Sequence, residues 1–260
     1  MTAIVTGAAG GLGAAFARAF AAEGRRLLLI DLRKEALNDF AETLSRDGGE
    51  VEALVADLTN RDDVERVAQA IESRRDREVI VNNAGFGQRG LLAETSPEGQ
   101  QAQIDVMIGA TVRFCRAALP AFVERGSGAV INVSSVGAFN PGTEWAIYGA
   151  AKRFVLHYTQ SLSEELRGTG VRAQALCPGW THTGFHDASG SPESKANVPD
   201  TMWMTPDEVA RASIDALRTD RCIVIPGVRH HLHLAATYSG AFRRLLYGGL
   251  RRLEGSRPWL

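Results

Sequence analysis

The chain has 260 residues, 45% of them apolar and 23% charged, with a formal net charge of -1. That balance suits one large soluble domain able to bury a core without staples, and it excludes a disordered chain or a nucleic-acid binder working through bulk charge. Three scattered cysteines, Cys115, Cys177 and Cys222, show no C-x-x-C spacing, which excludes a disulfide framework or a zinc ribbon, and no metal site is expected.

The chain opens on MTAIVTG, with no charged leader, long apolar segment or cleavage site, so the expected setting is a reducing cytoplasm. Short apolar runs read as seven strands: Ala3 to Thr6, Leu27 to Asp31, Val51 to Asp57, Val79 to Asn82, Ala129 to Ser134, Val171 to Cys177 and Cys222 to Pro226. Segments of helical period separate them. Leu12, Phe16 and Phe20 form a stripe ending at Gly24; Leu37, Phe40, Ala41 and Leu44 form the next, ending at Gly48; Val64, Val67, Ala68 and Ile71 form the third. Thr205, Pro206 and Glu208 open a later helix with a capping box. Strands alternating with helices predict an α/β fold: a single doubly wound domain over 1–260, with about seven parallel strands and helices on both faces. Residues 184–204, rich in Ser, Gly, Pro and Asn, read as a substrate loop, and 228–260 as a C-terminal lid or interface tail.

Strand one runs into TGAAGGLG, Thr6 to Gly13, and then into a helix. Glycines there let the backbone approach a pyrophosphate, and the helix N-terminus offers free N–H groups and positive potential. A glycine cluster by itself fits a tight turn equally well. Asp31 closes strand two about 18 residues beyond Gly13, where a dinucleotide site wants an acid for the ribose hydroxyls. A carboxylate there repels a 2'-phosphate and favours NAD over NADP; alone, the same Asp also fits a strand end or cap. Arg33 and Lys34 either reach a phosphate or form a solvated first turn.

In YGAAK, Tyr148 and Lys152 share a helix face. A tyrosine base needs positive charge nearby, since its ordinary pKa is about 10. Two unit charges about 4 Å apart at an effective dielectric near 20 interact by roughly 4 kcal/mol, or about three pKa units, which would bring a phenol towards neutrality. Such a pair is otherwise packing or surface.

Thr6-Gly7, Gly11 and Gly13, then NNAG at 82–85, then Ser135 thirteen residues before Tyr148 and Lys152 four after it, together resemble the short-chain dehydrogenase/reductase family. The resemblance runs from the first strand to about Thr183 and implies a Rossmann fold and an oxidoreductase moving a hydride between NAD(H) and a secondary alcohol or carbonyl. It implies Tyr148 as general acid/base, Ser135 as its hydrogen-bonding partner on the substrate oxygen, and Lys152 as the group that binds the nicotinamide ribose and acidifies Tyr148. It places cofactor contacts at Gly7, Gly11, Leu12, Gly13, Asp31, Asp57, Leu58, Asn83, Ala84, Gly85, Tyr148, Lys152, Pro178, Gly179 and Thr183. Leu32 and Gly10 stand where NADP enzymes of the family often carry a basic residue, which again favours NAD.

The pattern departs from the family at one place. The asparagine of its catalytic tetrad falls near position 107, in IDVMIGA, where Met107 stands. A thioether cannot replace an amide: if the asparagine mainly shapes the helix, a bulge there would keep the proton relay, and if its amide is required, slow turnover is expected. Met107 is also the best sign of the rival reading, a non-catalytic NAD(H)-binding sensor or scaffold on the same fold.

Trp145, Phe185, Trp203 and Met204 are expected to shape an apolar pocket or to belong to the core, with His182 and His186 near it. RHHLH at 229–233 reads as a loop after the last strand, with no acid or cysteine beside it to make a metal site. The tail mixes arginines with Phe242, Leu245, Leu246, Leu250 and Leu253, but Gly248 and Gly249 interrupt any helix that would rest on a membrane. The expected partners are a small-molecule alcohol or ketone and further copies of the chain, as a homo-dimer or homo-tetramer, with no nucleic acid and no membrane surface.

Overall fold

A computed structural model describes residues 1–185, 189 and 198–238. The chain divides into two compact units, Met1–Pro226 and Gly227–Leu260. The first carries the sheet and the cleft.

All seven expected strands form one parallel sheet. They are β1 (Thr2–Thr6), β2 (Arg26–Asp31), β3 (Val51–Val55), β4 (Arg77–Asn82), β5 (Gly128–Val133), β6 (Val171–Leu176) and β7 (Ile223–Val224), in the order β3-β2-β1-β4-β5-β6-β7. Strand order reverses between β1 and β4, and ligands of such sheets bind outside the strand ends at that reversal. Helices α1 (Gly11–Ala22), α2 (Lys34–Arg46), α3 (Arg61–Ser73), α4 (Pro97–Ile104), α5 (Thr111–Arg125), α6 (Ala146–Glu165) and α7 (Pro206–Ala216) cover both faces. In β1, Ala3 and Val5 enter one core with Phe16, Phe20 and Leu37. Ile4 between them enters the opposite core with Val67, Ile71 and Phe114. Near-continuous apolar runs in the sequence thus reflect burial on both faces.

The third helical stripe ends at Ser73, and the capping box at Thr205 forms as expected, with Thr205 Oγ1 accepting from the Glu208 backbone and Glu208 reaching back to the Thr205 backbone. β6 stops one residue short of its apolar run, and two strands are shorter than theirs by more. β3 stops at Val55 because the Asp57 N–H turns away to the Asp63 carboxylate at 2.8 Å. β7 keeps two residues, and Pro226 beyond it has no N–H for a ladder.

Helices α4 and α5 are one continuous body joined by a π-helical turn, Asp105–Ala110. The combined helix, Pro97–Arg125, is long and apolar enough to cross a membrane by length and composition, but half of its apolar window is buried in the protein, as befits a core helix. It stops at Gly126, whose φ of 71° supplies a left-handed cap.

In the second unit, RHHLH belongs to a helix, α8 (Val228–Tyr238), rather than to the expected loop; the run has neither Gly nor Pro to break it. His186, most of the 184–204 loop and the tail from 239 onward lie outside the described residues.

Candidate active site

The glycine turn follows from backbone geometry. Gly7 and Gly11 take φ values of 64° and 53°, open to glycine at little cost. A Cβ on Gly13 would stand 2.0 Å from the Gly7 carbonyl oxygen, so only glycine lets α1 start so close to β1. No side chain caps α1 at Gly10, which leaves its first-turn N–H groups and positive end to an anionic partner. Across the strand reversal, Asn83 Nδ2 donates to the Thr6 and Gly7 carbonyls at 2.9 and 3.2 Å. The backbone N–H groups of Asn83 and Ala84 both donate to Thr6 Oγ1 at 3.0 Å. NNAG therefore holds the turn rigid from β4.

In front of this turn lies a cleft of about 1040 Å³ at the carboxyl ends of the strands. Its walls include Gly7, Gly11, Leu12, Asp31, Asp57, Leu58, Asn83, Ala84, Gly85, Ser135, Tyr148, Lys152, Pro178, Gly179 and Thr183. Among the expected cofactor contacts Gly13 alone stands behind the wall, packed on Gly7 rather than facing the space.

Asp31 ends β2 with its carboxylate almost fully engaged. Oδ2 accepts from the Ala9 N–H at 2.9 Å and from Arg33 Nη2 at 3.3 Å; Oδ1 accepts from the Arg33 backbone N–H at 3.0 Å and from Nε at 3.1 Å. The Asp31 side chain is 6% exposed and that of Arg33 59%. Arg33 is therefore neither a free phosphate ligand nor an idle surface residue. Its guanidinium forks onto the acid and lies over Gly10, with Nη2 3.4 Å from where a Cβ there would sit.

Ser135, Tyr148 and Lys152 come together from two elements. Ser135 follows β5 and its Oγ accepts from the Gly137 N–H at 3.0 Å. Tyr148 and Lys152 occupy the first two turns of α6, and the Ser135 hydroxyl lies close enough to the Tyr148 phenol to favour its loss of a proton. The Lys152 ammonium lies 5.7 Å from the centre of the Tyr148 ring and donates to the Val133 carbonyl at 2.8 Å. Burial pushes the Tyr148 phenol up to about 12, with the Ser135 hydroxyl pulling the other way. Burial also pushes Lys152 down to about 8. The dry surroundings thus hold the phenol above its ordinary range in this structure.

Met107 sits in the π-helical turn, so a bulge does form where the asparagine is missing, and Met107 packs, 1% exposed, beside Gly85.

The outer end of the cleft is aromatic. Tyr148 meets Trp145 edge-on at 5.5 Å and Phe185 at 5.2 Å, and Trp145 stacks with Phe185 at 6.5 Å. Trp203 and Met204 do not line this cleft. Trp203 stacks on His182 at 4.7 Å beside a second cavity, and Met204 packs on the core. Arg89 and Glu144, which sequence reasoning missed, also line the cleft: Arg89 Nε donates to Glu144 Oε2 at 2.7 Å and the Gly90 N–H to the Glu144 carbonyl at 3.0 Å. Glu144 has a φ of 68°, unusual for a residue with a side chain, and no local sequence pattern signals that pairing.

The glycine turn, the acid after β2 and the Ser-Tyr-Lys wall thus share one cleft on a doubly wound sheet. The family model for short chain dehydrogenases matches residues 1–194. The chain is 34% identical over 247 residues to 1-deoxy-11-beta-hydroxypentalenate dehydrogenase of Streptomyces exfoliatus, covering 94% of this chain and 89% of that one. A short-chain dehydrogenase from Sphingobium yanoikuyae in complex with NADPH superposes with a TM-score of 0.82 at 31% identity, covering 100% of this chain and 97% of the other. A short-chain dehydrogenase/reductase from Burkholderia phymatum in complex with NAD superposes with a TM-score of 0.80 at 25% identity, with 100% and 97% coverage. The chain belongs to the short-chain dehydrogenase/reductase family of NAD(P)-dependent oxidoreductases.

Proposed function

We propose that this protein interconverts a secondary alcohol and a carbonyl, with Tyr148 as general acid/base, Ser135 fixing the reacting oxygen, and Lys152 holding the nicotinamide ribose. The observation that carries this reading is the meeting of Ser135, Tyr148 and Lys152 on one wall of the cleft that the glycine turn opens. The cradle fits a dinucleotide: a Cβ at Gly7 or Gly13 would strike backbone, and the α1 N-terminus is left for a pyrophosphate. When bound, the nicotinamide supplies the hydride chemistry and, when oxidised, a positive charge. The protein's part is to orient and to move one proton. The Tyr148 hydroxyl donates to the carbonyl oxygen in reduction and takes the proton back in oxidation, while the Lys152 ammonium and the Ser135 hydroxyl stabilise the phenolate between. The gathering of Ser135, Tyr148 and Lys152 on the cleft disfavours a purely binding role for the fold.

NAD is the preferred cofactor in this reading, supported by Asp31 at the end of β2 and by Leu32 and Gly10 where basic residues would recruit a 2'-phosphate. The Arg33 fork on Asp31 offsets part of the carboxylate's repulsion, so the preference is modest. Trp145, Phe185 and the Tyr148 ring suit a bulky apolar substrate, and the Arg89–Glu144 pair adds no net charge.

A panel of bulky secondary alcohols and ketones, followed at the reduced-nicotinamide absorbance band, tests this reading. Turnover on some member is expected; binding of NADH with no turnover across the panel would contradict it.

A further inference from the structure

Lys152 is a cation with few polar neighbours. It is 5% exposed, and of its three N–H donors one goes to the Val133 carbonyl while another side faces the Tyr148 ring. Gly85, after β4, lies close to both the ammonium and Met107 of the π-helical turn. A Cβ placed on Gly85 would stand 3.4 Å from Lys152 Nζ, and 3.2 and 3.5 Å from Met107 Cγ and Sδ. Thioether and ammonium therefore flank the same point, with no side chain on Gly85 between them. A thioether is a weak acceptor and a poor substitute for water. The π-turn is what brings this residue to the inner wall, because a widened turn re-aims the side chains within it.

We propose that Met107 is a positioning residue acting through Lys152: its buried thioether walls the inner side of the ammonium with apolar atoms, so that water and protons reach the Tyr148–Lys152 pair only from the cleft. The charge state of Lys152 then becomes sensitive to mildly alkaline pH, in keeping with burial as the main influence on the amine. Other titratable groups facing Lys152 are few. Tyr148 lies on its own helix, and Cys177, beyond β6, is a thiol pushed up to about 12 by burial and so neutral. β5 presents the Val133 carbonyl, and Asp105 on the π-turn is held by the Gln101 amide at 2.9 Å. Met107 is the neighbour whose chemistry is open to change without adding a charge.

The chain has three lysines, Lys34, Lys152 and Lys195, so a sample labelled with carbon-13 at the lysine ε carbons gives three resolvable signals, and Lys152→Met assigns the one of interest. Titrating the full-length protein reads the amine directly, independent of turnover. Met107→Gln, close in volume but hydrogen-bonding, is expected to move the Lys152 midpoint up by about one pH unit or more, while Met107→Leu leaves it where the wild type has it. Should the Gln variant fail to fold, Met107→Ala admits water to the same wall and is expected to shift the midpoint in the same direction. An unchanged midpoint in the folded Gln or Ala variant, or an equal shift in the Leu variant, would overturn the inference.

The inference rests on the proton-transfer reading only for its consequence, an alkaline limb of turnover that moves with the Lys152 midpoint. If the midpoint moves and the turnover profile does not, the role given to Lys152 fails while that of Met107 stands.

Discussion

Replacing Lys152 with methionine should stabilise the protein at pH 7 while abolishing its chemistry. The amine is 5% exposed and burial lowers its pKa from 10.5 to about 8. Below pH 8 both folded and unfolded chains carry the proton, and the folded state bears the full cost of a buried charge, about 3 kcal/mol for a shift of this size. Between pH 8 and 10.5 the unfolded chain still holds the proton that the folded one has released, so wild-type stability rises with pH and the cost disappears by the upper limit. Methionine removes the charge but leaves the Val133 carbonyl without its 2.8 Å donor, a loss of about 1 kcal/mol. The variant should therefore be more stable by about 2 kcal/mol at pH 7, with the gap shrinking by roughly 1 kcal/mol at pH 9. Tyr148 does not disturb the comparison: its raised pKa contributes stability that is lost only as pH climbs from 10 towards 12. Urea unfolding of both proteins at the two pH values measures the gap. A variant less stable than wild type at pH 7, or a gap unchanged at pH 9, would refute the claim that desolvation dominates Lys152.

Gly13→Ala forces a methyl to within 2.0 Å of the Gly7 oxygen, so α1 must shift; a loss of at least 1–3 kcal/mol in thermal or urea unfolding and a tenfold or greater loss of NADH affinity are expected. Arg33→Ala strips the guanidinium from Asp31 and leaves the carboxylate's repulsion unshielded. In fluorescence titrations its NADPH affinity should fall by about tenfold relative to NADH; an unchanged ratio would show that the fork has no part in cofactor choice.

The sheet was legible because a doubly covered parallel strand must be apolar on both faces, as Leu27 to Ile30 and Val79 to Val81 are. Strand ends were less so: β3 is cut by a single side-chain acceptor, Asp63, reaching back from α3, which no run of apolar residues announces. The site's reactive residues were legible from several short motifs in a fixed order, and the structure places them on one cleft. Their electrostatics were not, because i, i+4 spacing brings Lys152 and Tyr148 together without saying how dry the place is. The π-turn at Asp105–Ala110 has the same composition as an α-helix and alters only which side chains face inward, so Met107 was visible as a substitution and invisible as a wall. The Arg33–Asp31 fork and the Arg89–Glu144 pair are contacts that a string of residues does not specify; the second spans 55 positions. Trp203 and Met204 could be read as pocket or core alike, because aromatic and apolar residues near a loop suit both; Met204 packs on the core and Trp203 on His182, away from the cleft.

The account stands most directly on the Tyr148 hydroxyl. Tyr148→Phe removes that one oxygen, leaving the ring stack with Trp145 and Phe185 and the Lys152–Val133 bond in place. Stopped-flow absorbance with a substrate that the wild type turns over, alongside NADH titration, should show the rate falling by about 10²–10⁴ with cofactor affinity changed less than threefold; a variant that turns over at the wild-type rate would contradict it.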